Sequence, residues 1–315
     1  MKILFIGYSK LFKNRLIPVL NQLPEIEEIH IAKFKDQEWD KEIEQLTCSK
    51  IVLYDSYEEG YKANVDIAYI TSVNSDHYNS AKILLKLGIH TIIDKPAVLN
   101  FSDLISLYYS CRPNILLADS NVYTYHPQFQ KIKDILKEYD SEIKTINVLF
   151  SIPPLELNNF RYKKELGGGA INDMGIYAVS IGRYFYDEQP NDVIYLVGEK
   201  IDCVETSFDV ILKYPTNRSV IGHFGFNTEY VNSMTILANN LKIDVDRVYT
   251  VPDNIQPEIK VKFRDKKYVE LADKGNAFYL FFKDVFNAIE TQEYIRFKNI
   301  MLKDYKTLEL LKHRI

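Results

Sequence analysis

The sequence predicts an α/β protein in two parts: a doubly wound parallel sheet first, then an α/β domain with a largely antiparallel, open-faced sheet. Three observations carry that prediction. Up to about residue 120, short apolar and β-branched runs alternate with helix-like stretches, the pattern of a parallel sheet wrapped on both faces. Beyond it the runs lengthen, alternate and follow one another across turns, as antiparallel strands do. A chain of 315 residues exceeds what one small core fills and fits two domains, 1–120 and 121–315.

The elements follow in order. Residues 2–6 form a short apolar strand, with a helix over 11–22 behind it. Residues 29–32 are a second strand, and 51–54 a third that precedes a polar helical turn at 57–62. The fourth strand, 67–71, leads into an amphipathic helix from 76 to 87. The fifth, 91–93, passes through Asp94-Lys95-Pro96 to a helix capped by Asn100 or Ser102, and 115–118 closes the series. A helix at 127–137 opens the second domain. Its strands are read at 143–152, 207–214, 219–226, 233–237 and 242–248, with Pro215-Thr216-Asn217 as a turn. A helix at 167–186 interrupts them, and helices at 276–290 and 299–312 end the chain. Helices are expected on one face of this second sheet. Alternate residues of 220–226 and 233–237 leave the other face apolar, which predicts a homo-oligomer, a dimer or tetramer, built on it.

Composition excludes several classes. A hydrophobic fraction of 46% with 26% charged residues is that of a soluble globular protein. The net charge of −4, without long blocks of either sign, argues against a nucleic-acid binder. Cys48, Cys111 and Cys203 are odd in number, far apart and without a CxxC, so neither a disulfide framework nor a metal site is indicated, and a cytoplasmic location is expected. The N-terminal apolar run is too short for a signal peptide, and no stretch is long enough to span a bilayer.

The most informative segment is GGGAINDMGIY, residues 167–177, which concentrates three of the twelve glycines at one point. The helix that follows carries Asp173 and Tyr177 four apart, on one face. A carboxylate and a phenol at a helix mouth, reached through a glycine turn, suit proton handling beside a bound ligand. A plain turn with an acid favouring the helix dipole would have the same sequence.

Other signals lie after the strands of the first domain. Gly7-Tyr8-Ser9-Lys10-Leu11-Phe12 stands where a dinucleotide fingerprint would read GxGxxG, but only the first glycine remains. Ser9 is small enough to admit a pyrophosphate near the free amides of Lys10 and Leu11, whereas Phe12 must point elsewhere or push the helix off the sheet. Lys33 ends the second strand in place of the acid that grips the ribose of NAD, which suits the extra phosphate of NADP(H). The fourth strand ends in Thr71-Ser72-Val73-Asn74-Ser75-Asp76-His77, with Asn74, Ser75 or Asp76 able to cap the next helix. Lys95 stands at the ligand edge of the fifth strand, restrained by Pro96. The expected cofactor-binding set is Gly7, Ser9, Lys10, Leu11, Lys33, Thr71, Ser72, Asn74, His77, Asp94 and Lys95, with NADP(H) preferred and NAD(H) accepted.

Taken together, Asp94-Lys95-Pro96 resembles the Glu-Lys-Pro motif of the Gfo/Idh/MocA oxidoreductase family, and GGGAINDMGIY resembles its second motif. Tyr123-Thr124-Tyr125-His126-Pro127-Gln128 is similar to the segment that opens the family's second domain, with Thr124 where arginine is common. The resemblance covers essentially the whole chain and implies the family's Rossmann domain. Arg15-Leu16-Ile17-Pro18-Val19-Leu20 and residues 224–233 look most like nucleotide-sugar 3-ketoreductases. What the resemblance implies is hydride transfer between a nicotinamide cofactor and a sugar carbonyl, in polysaccharide or deoxysugar biosynthesis.

On that basis Tyr177 is the expected proton donor, its phenol having an ordinary pKa of roughly 10. Lys95 is the expected ammonium that eases proton loss or polarises the carbonyl. Asp173 would orient Lys95 or grip a sugar hydroxyl, and Arg161 would hold a phosphate. Tyr230 and Tyr123 are further substrate contacts, though most of the 23 tyrosines must be structural. His126, before Pro127, is read as structural. Reduction of a keto sugar, oxidation of a free sugar, polyol or cyclitol, and non-catalytic sensing of a dinucleotide or sugar all remain open at this point.

Overall fold

In the computed structural model, which describes residues 1–47 and 50–313, the apolar runs become strands where the periodicity places them. Cys48 lies outside the described residues. The first sheet contains β1 (Lys2–Ile6), β2 (Glu28–Ala32), β3 (Lys50–Tyr54), β4 (Ile67–Ile70), β5 (His90–Ile93) and β6 (Leu117–Asp119). Their order is β3-β2-β1-β4-β5-β6, all parallel. β1 and β4 are buried almost throughout, as strands covered on both faces must be. The register aligns Ile6 with Ala32 and Ile70, Ile70 with Ile93, and Ile93 with Asp119. Gly7, Lys33, Thr71, Asp94 and Ser120 therefore all follow strand ends along one edge.

The helix behind β1 departs from expectation. Phe12–Leu16 is π-wound, and only Ile17–Leu20 (α1) is α-helical. Phe12 neither points outward nor displaces the helix: it is fully buried, its ring 4.7 Å from Phe5 and 5.9 Å from Tyr8. The wider π turn accommodates a ring where the fingerprint has a small residue. α2 (Tyr57–Gly60), α3 (His77–Leu87) and α4 (Phe101–Ser110) complete this series, α3 ending on Gly88 at φ +82°.

The second sheet begins after α5 (Pro127–Glu138) with β7 (Ile143–Ser151), and α6 (Ala170–Tyr186) follows. Its other strands are β8 (Asp192–Val197), β11 (Ser207–Tyr214), β12 (Arg218–Gly225), β13 (Val231–Ala238), β14 (Leu241–Asp246), β15 (Glu258–Phe263) and β16 (Lys266–Leu271). A small ribbon, β9 (Lys200–Ile201) with β10 (Val204–Glu205), stands apart. The order is β16-β15-β14-β13-β7-β12-β11-β8, with only β7 and β12 parallel. The sequence reading lacks β8, β15 and β16, strands at the two ends of the sheet. The last two, EIKVKF and the edge strand KKYVEL, expose charged residues, which hides them from an apolar search. α6 lies against β11 and β12, where Phe208 and Phe224 stack at 5.3 Å. On the opposite face Leu149, Ile194, Leu196, Ile221 and Leu237 remain exposed.

α7 (Ala277–Thr291) and α8 (Ile295–Lys312) end the chain, α8 starting four residues earlier than expected. Two compact units result: Met1–Ser120 with Phe278–Leu302, and Asn121–Ala277 with Lys303–Ile315. The returning segment is integral to the first unit. Phe282 packs 5.9 Å from Tyr69, Tyr294 stacks on His90 at 5.5 Å, and Lys283 pairs with Glu25.

Candidate active site

In the first unit the loops after β1 and β4 are stapled together. Gly7 adopts φ +116°, its amide donates to Ala32 O at 2.9 Å, and Thr71 Oγ1 donates to Gly7 O at 2.6 Å. A Cβ on Gly7 would lie 2.7 Å from Ser72 N, so both φ and space demand glycine. Ser9 caps the following turn, its Oγ accepting from Phe12 N at 3.2 Å. Lys10 is exposed and Leu11 half-buried. The Ser72 hydroxyl is buried and has no hydrogen-bond partner among the described residues. A buried hydroxyl left over beside a glycine-narrowed loop is what a bound polar ligand would satisfy. These residues fit a dinucleotide, and would hold its phosphates.

Three residues of the expected cofactor set are placed differently. His77 is fully buried, with Nδ1 2.8 Å from Pro96 O and Nε2 3.1 Å from Ser72 O. Both ring nitrogens face backbone carbonyls, so His77 fastens the β4 loop to the β5 loop and does not reach a ligand. Asn74 is buried in a 3-10 turn, and Asp76 holds the cap position of α3 without a side-chain capping bond. Lys33 is buried too, its ammonium 3.2 Å from Asp55 Oδ1. Asp55 also accepts from Trp39 Nε1 at 3.1 Å, so the cation at the end of β2 already has a counter-charge from the end of β3.

After β5, Asp94 accepts from Ser120 Oγ at 2.9 Å. Burial pushes its carboxyl above the ordinary range, against the charges of Lys95 and His77 and the Ser120 hydrogen bond, which pull it down. Lys95 follows, half-buried, with a cis bond to Pro96.

In the second unit the glycine turn is as tight as its sequence suggests. Gly167 and Gly169 take φ +76° and +109°, and a Cβ on Gly168 would meet Arg161 O at 2.5 Å. Arg161 closes the turn twice. Its carbonyl accepts from Gly169 N at 2.9 Å, and its guanidinium donates to Asp173 from Nε at 2.7 Å and Nη2 at 3.3 Å. Asp173 is 6% exposed, so this is a sheltered bidentate pair. Tyr177, one turn on, stacks on Tyr249 at 4.6 Å and meets Tyr123 and Phe150 edge-on, both at 5.6 Å.

Tyr123 is drawn into the core, 2% exposed, its hydroxyl 2.8 Å from Ser180 Oγ, so it supports Tyr177 and is removed from the expected substrate contacts. Tyr230 is exposed, and its hydroxyl accepts from Asn232 Nδ2 at 3.3 Å. His126 is structural: buried, accepting from Gln128 N at 3.2 Å, its pKa pushed down to about 4 by burial. Tyr249 and Asn232 were not singled out from sequence. Asn232 accepts from Tyr249 N at 3.1 Å and donates to Thr250 Oγ1 at 2.9 Å, fixing the segment that backs Tyr177. Asn232 lies within the 224–233 segment and acts through these hydrogen bonds; Tyr249, which no motif marks, acts through packing. No cluster of three metal-ligating side chains occurs among the described residues.

Comparisons with known proteins give the family and the fold. Residues 1–115 match the family model described as the oxidoreductase family with NAD-binding Rossmann fold, GFO/IDH/MocA. Residues 129–243 match the GFO/IDH/MocA C-terminal domain. A dTDP-3,4-didehydro-2,6-dideoxy-alpha-D-glucose 3-reductase from Saccharopolyspora spinosa is 24% identical over 263 residues, 82% of this chain and 78% of that protein. A D-xylose 1-dehydrogenase (NADP(+)) from Haloferax volcanii is 21% identical, covering 76% of this chain and 75% of its own. Among solved structures, a 3-ketoreductase from Actinomadura kijaniata in complex with NADP and TDP-benzene superposes with a TM-score of 0.90 at 21% identity, over 99% of this chain and 97% of that one.

Proposed function

The chain belongs to the GFO/IDH/MocA oxidoreductase family, and on that premise we propose that it reduces a keto sugar carried on a nucleoside diphosphate, with NADP(H) preferred over NAD(H). The carrying observation is the sheltered Arg161–Asp173 pair one helical turn from Tyr177, at the mouth of a turn that only glycine can form. The resemblance to sugar 3-reductases supports the substrate class.

The cofactor, when bound, supplies hydride to the substrate carbonyl. Gly7, Ser9, Lys10, Leu11, Thr71 and Ser72 would hold it, and Lys33 would exchange Asp55 for its extra phosphate. Tyr177 delivers the proton that the developing alkoxide requires, a contribution typically worth about a hundred- to ten-thousand-fold in rate. Asp173, held by Arg161, accepts a substrate hydroxyl. Lys95 is assigned the cation that favours proton loss. Tyr230, at the exposed end of the Asn232 pair, contacts the distal part of the substrate.

The apolar face of the second sheet is assigned to self-association, as a homodimer or homotetramer, and light scattering at micromolar concentration checks it. Cys111 and Cys203 are free thiols, which suits a cytoplasmic location; no helix among the described residues is long and apolar enough to cross a membrane.

The test is direct. The purified protein should bind NADPH more tightly than NADH and consume it with a dTDP-linked 3-keto sugar. Binding of neither nucleotide would overturn the reading. Oxidation of a free sugar in place of reduction would favour the reverse reaction, to which the likeness to a xylose dehydrogenase lends weight.

A further inference from the structure

The C-terminal part of α8 splints α6 along its length. Arg183 donates to Asp304 from Nε at 2.5 Å and Nη2 at 2.9 Å, and Thr307 donates to Gln189, just beyond the end of α6, at 3.0 Å. Leu308 packs so closely that a Cβ on Gly175 would lie 2.6 Å from its Cδ1. At the other end of α6, Lys312 Nζ donates to Asn172 Oδ1 at 2.7 Å, and Asn172 Nδ2 donates to Gly168 O at 2.9 Å. Two hydrogen bonds thus run from the last turn of the chain to the glycine turn. Glu205, from β10, reaches the same turn: a Cβ on Gly169 would meet its Oε1 at 2.6 Å.

Lys312 is costly to keep. Burial pushes its pKa down to about 8, against the charges of Glu309 on its own helix and Glu205 on β10, which pull it up. Packing alone would be served better by an apolar side chain of the same length. What the ammonium adds is the hydrogen bond to Asn172, and through it a fixed carbonyl in the turn.

We propose that Lys312 is a positioning residue of the reaction: through Asn172 it fixes the turn of Gly167, Gly168 and Gly169, and with it the first turns of α6 that carry Asp173 and Tyr177. The role in turnover rests on the reductase reading above; the clamp itself does not.

Lys312→Met keeps the stem and removes the donor, and Asn172→Ala removes the relay. Lys303→Ala, on the same helix as Lys312, breaks the exposed pair with Asp187 and is the control. kcat should fall roughly ten- to a hundredfold in each of the first two, with KM for NADPH unchanged, because small misplacements of reacting groups cost that much. The double variant should be little worse than the worse single one, since the two act as one chain. Lys303→Ala should be unaffected. Independently of turnover, hydrogen exchange at the amides of Gly169 and Asp173 should accelerate by about tenfold in Lys312→Met and not in the control. Unchanged exchange, or faster exchange with unchanged kcat, overturns the proposal. A wild-type protein inactive on every keto nucleotide sugar sinks the reductase reading instead, and exchange then decides the clamp alone. Should Lys312→Met fail to fold, Asn172→Ala carries the same measurements.

Discussion

Replacing Tyr177 by phenylalanine separates chemistry from packing. The ring stacked on Tyr249 at 4.6 Å and the edge contacts to Tyr123 and Phe150 at 5.6 Å all survive the loss of a hydroxyl. So does the hydrogen bond from the Tyr249 hydroxyl to the Tyr177 backbone carbonyl at 3.3 Å. Stability should therefore change by no more than about 1 kcal/mol, the usual worth of one hydrogen bond. Turnover should fall by two to four powers of ten, or about 3–5 kcal/mol of barrier. Substrate affinity should change less than rate, because the proton is needed in the transition state and hardly in the ground state. The assay is steady-state NADPH consumption beside a thermal melt and NADPH titration by fluorescence. Lys95→Ala should do comparable damage, and the double variant little more, if the two act as a unit. Full activity in Tyr177→Phe would refute the reasoning and leave Lys95 or a bound water as the proton source.

Three further outcomes follow from named contacts. Lys33→Asp places two carboxylates together at the ends of β2 and β3 and should weaken NADPH binding much more than NADH binding; equal losses in titration would make Lys33 a purely structural partner of Asp55. Arg183→Met leaves Asp304, 3% exposed and already pushed upward by burial, without its bidentate partner, at a cost of about 3–5 kcal/mol in urea unfolding; a loss below about 1 kcal/mol would contradict the pairing. Lys312 has its pKa lowered from 10.5 to about 8, so between those pH values the unfolded chain binds more protons than the folded one. Stability should then rise with pH across that window, by up to about 3 kcal/mol, and the same group weighs against folding below pH 8. Lys312→Met should flatten the rise, and an equal slope in both proteins would count against it.

Much of this was legible in the chain because strong local signals coincide with tertiary need. The alternation of residues 2–6, 29–32, 51–54, 67–71 and 91–93 gave strands whose ends align at one edge, and that edge collects Gly7, Thr71, Asp94 and Lys95. GGGAINDMGIY announced a turn that φ and close approach both reserve for glycine. Three kinds of information were hidden. Phe12 looked incompatible with its position, since nothing in the sequence says that a helix will widen by a π turn to take the ring. The ion pairs Lys33–Asp55 and Arg161–Asp173 join residues whose separation carries no periodic signal. The return of 278–302 to the first unit depends on Phe282 and Tyr294 finding Tyr69 and His90, contacts visible only in three dimensions.

The pairing of Arg161 with Asp173 also narrows the division of labour. From sequence, Asp173 is open to three readings: a dipole-favoured acid in the first turn, a partner that orients Lys95, or a grip on a sugar hydroxyl. In the structure both carboxylate oxygens take hydrogen bonds from one guanidinium, at 2.7 and 3.3 Å. A carboxylate so held is an acceptor in a fixed orientation, and a hydroxyl-bearing substrate is the partner that such an acceptor suits. The same arginine accepts from Gly169 N through its carbonyl, so the orientation of Asp173 and the shape of the glycine turn are set by one residue. Tyr177, lying one turn further along a helix pinned at Asn172 and at Arg183, then inherits that placement. With the carboxylate committed to accepting, the proposed reading gives the proton to the phenol. That is why the hydroxyl of Tyr177, and not the charge of Asp173, is the atom on which the proposed chemistry depends.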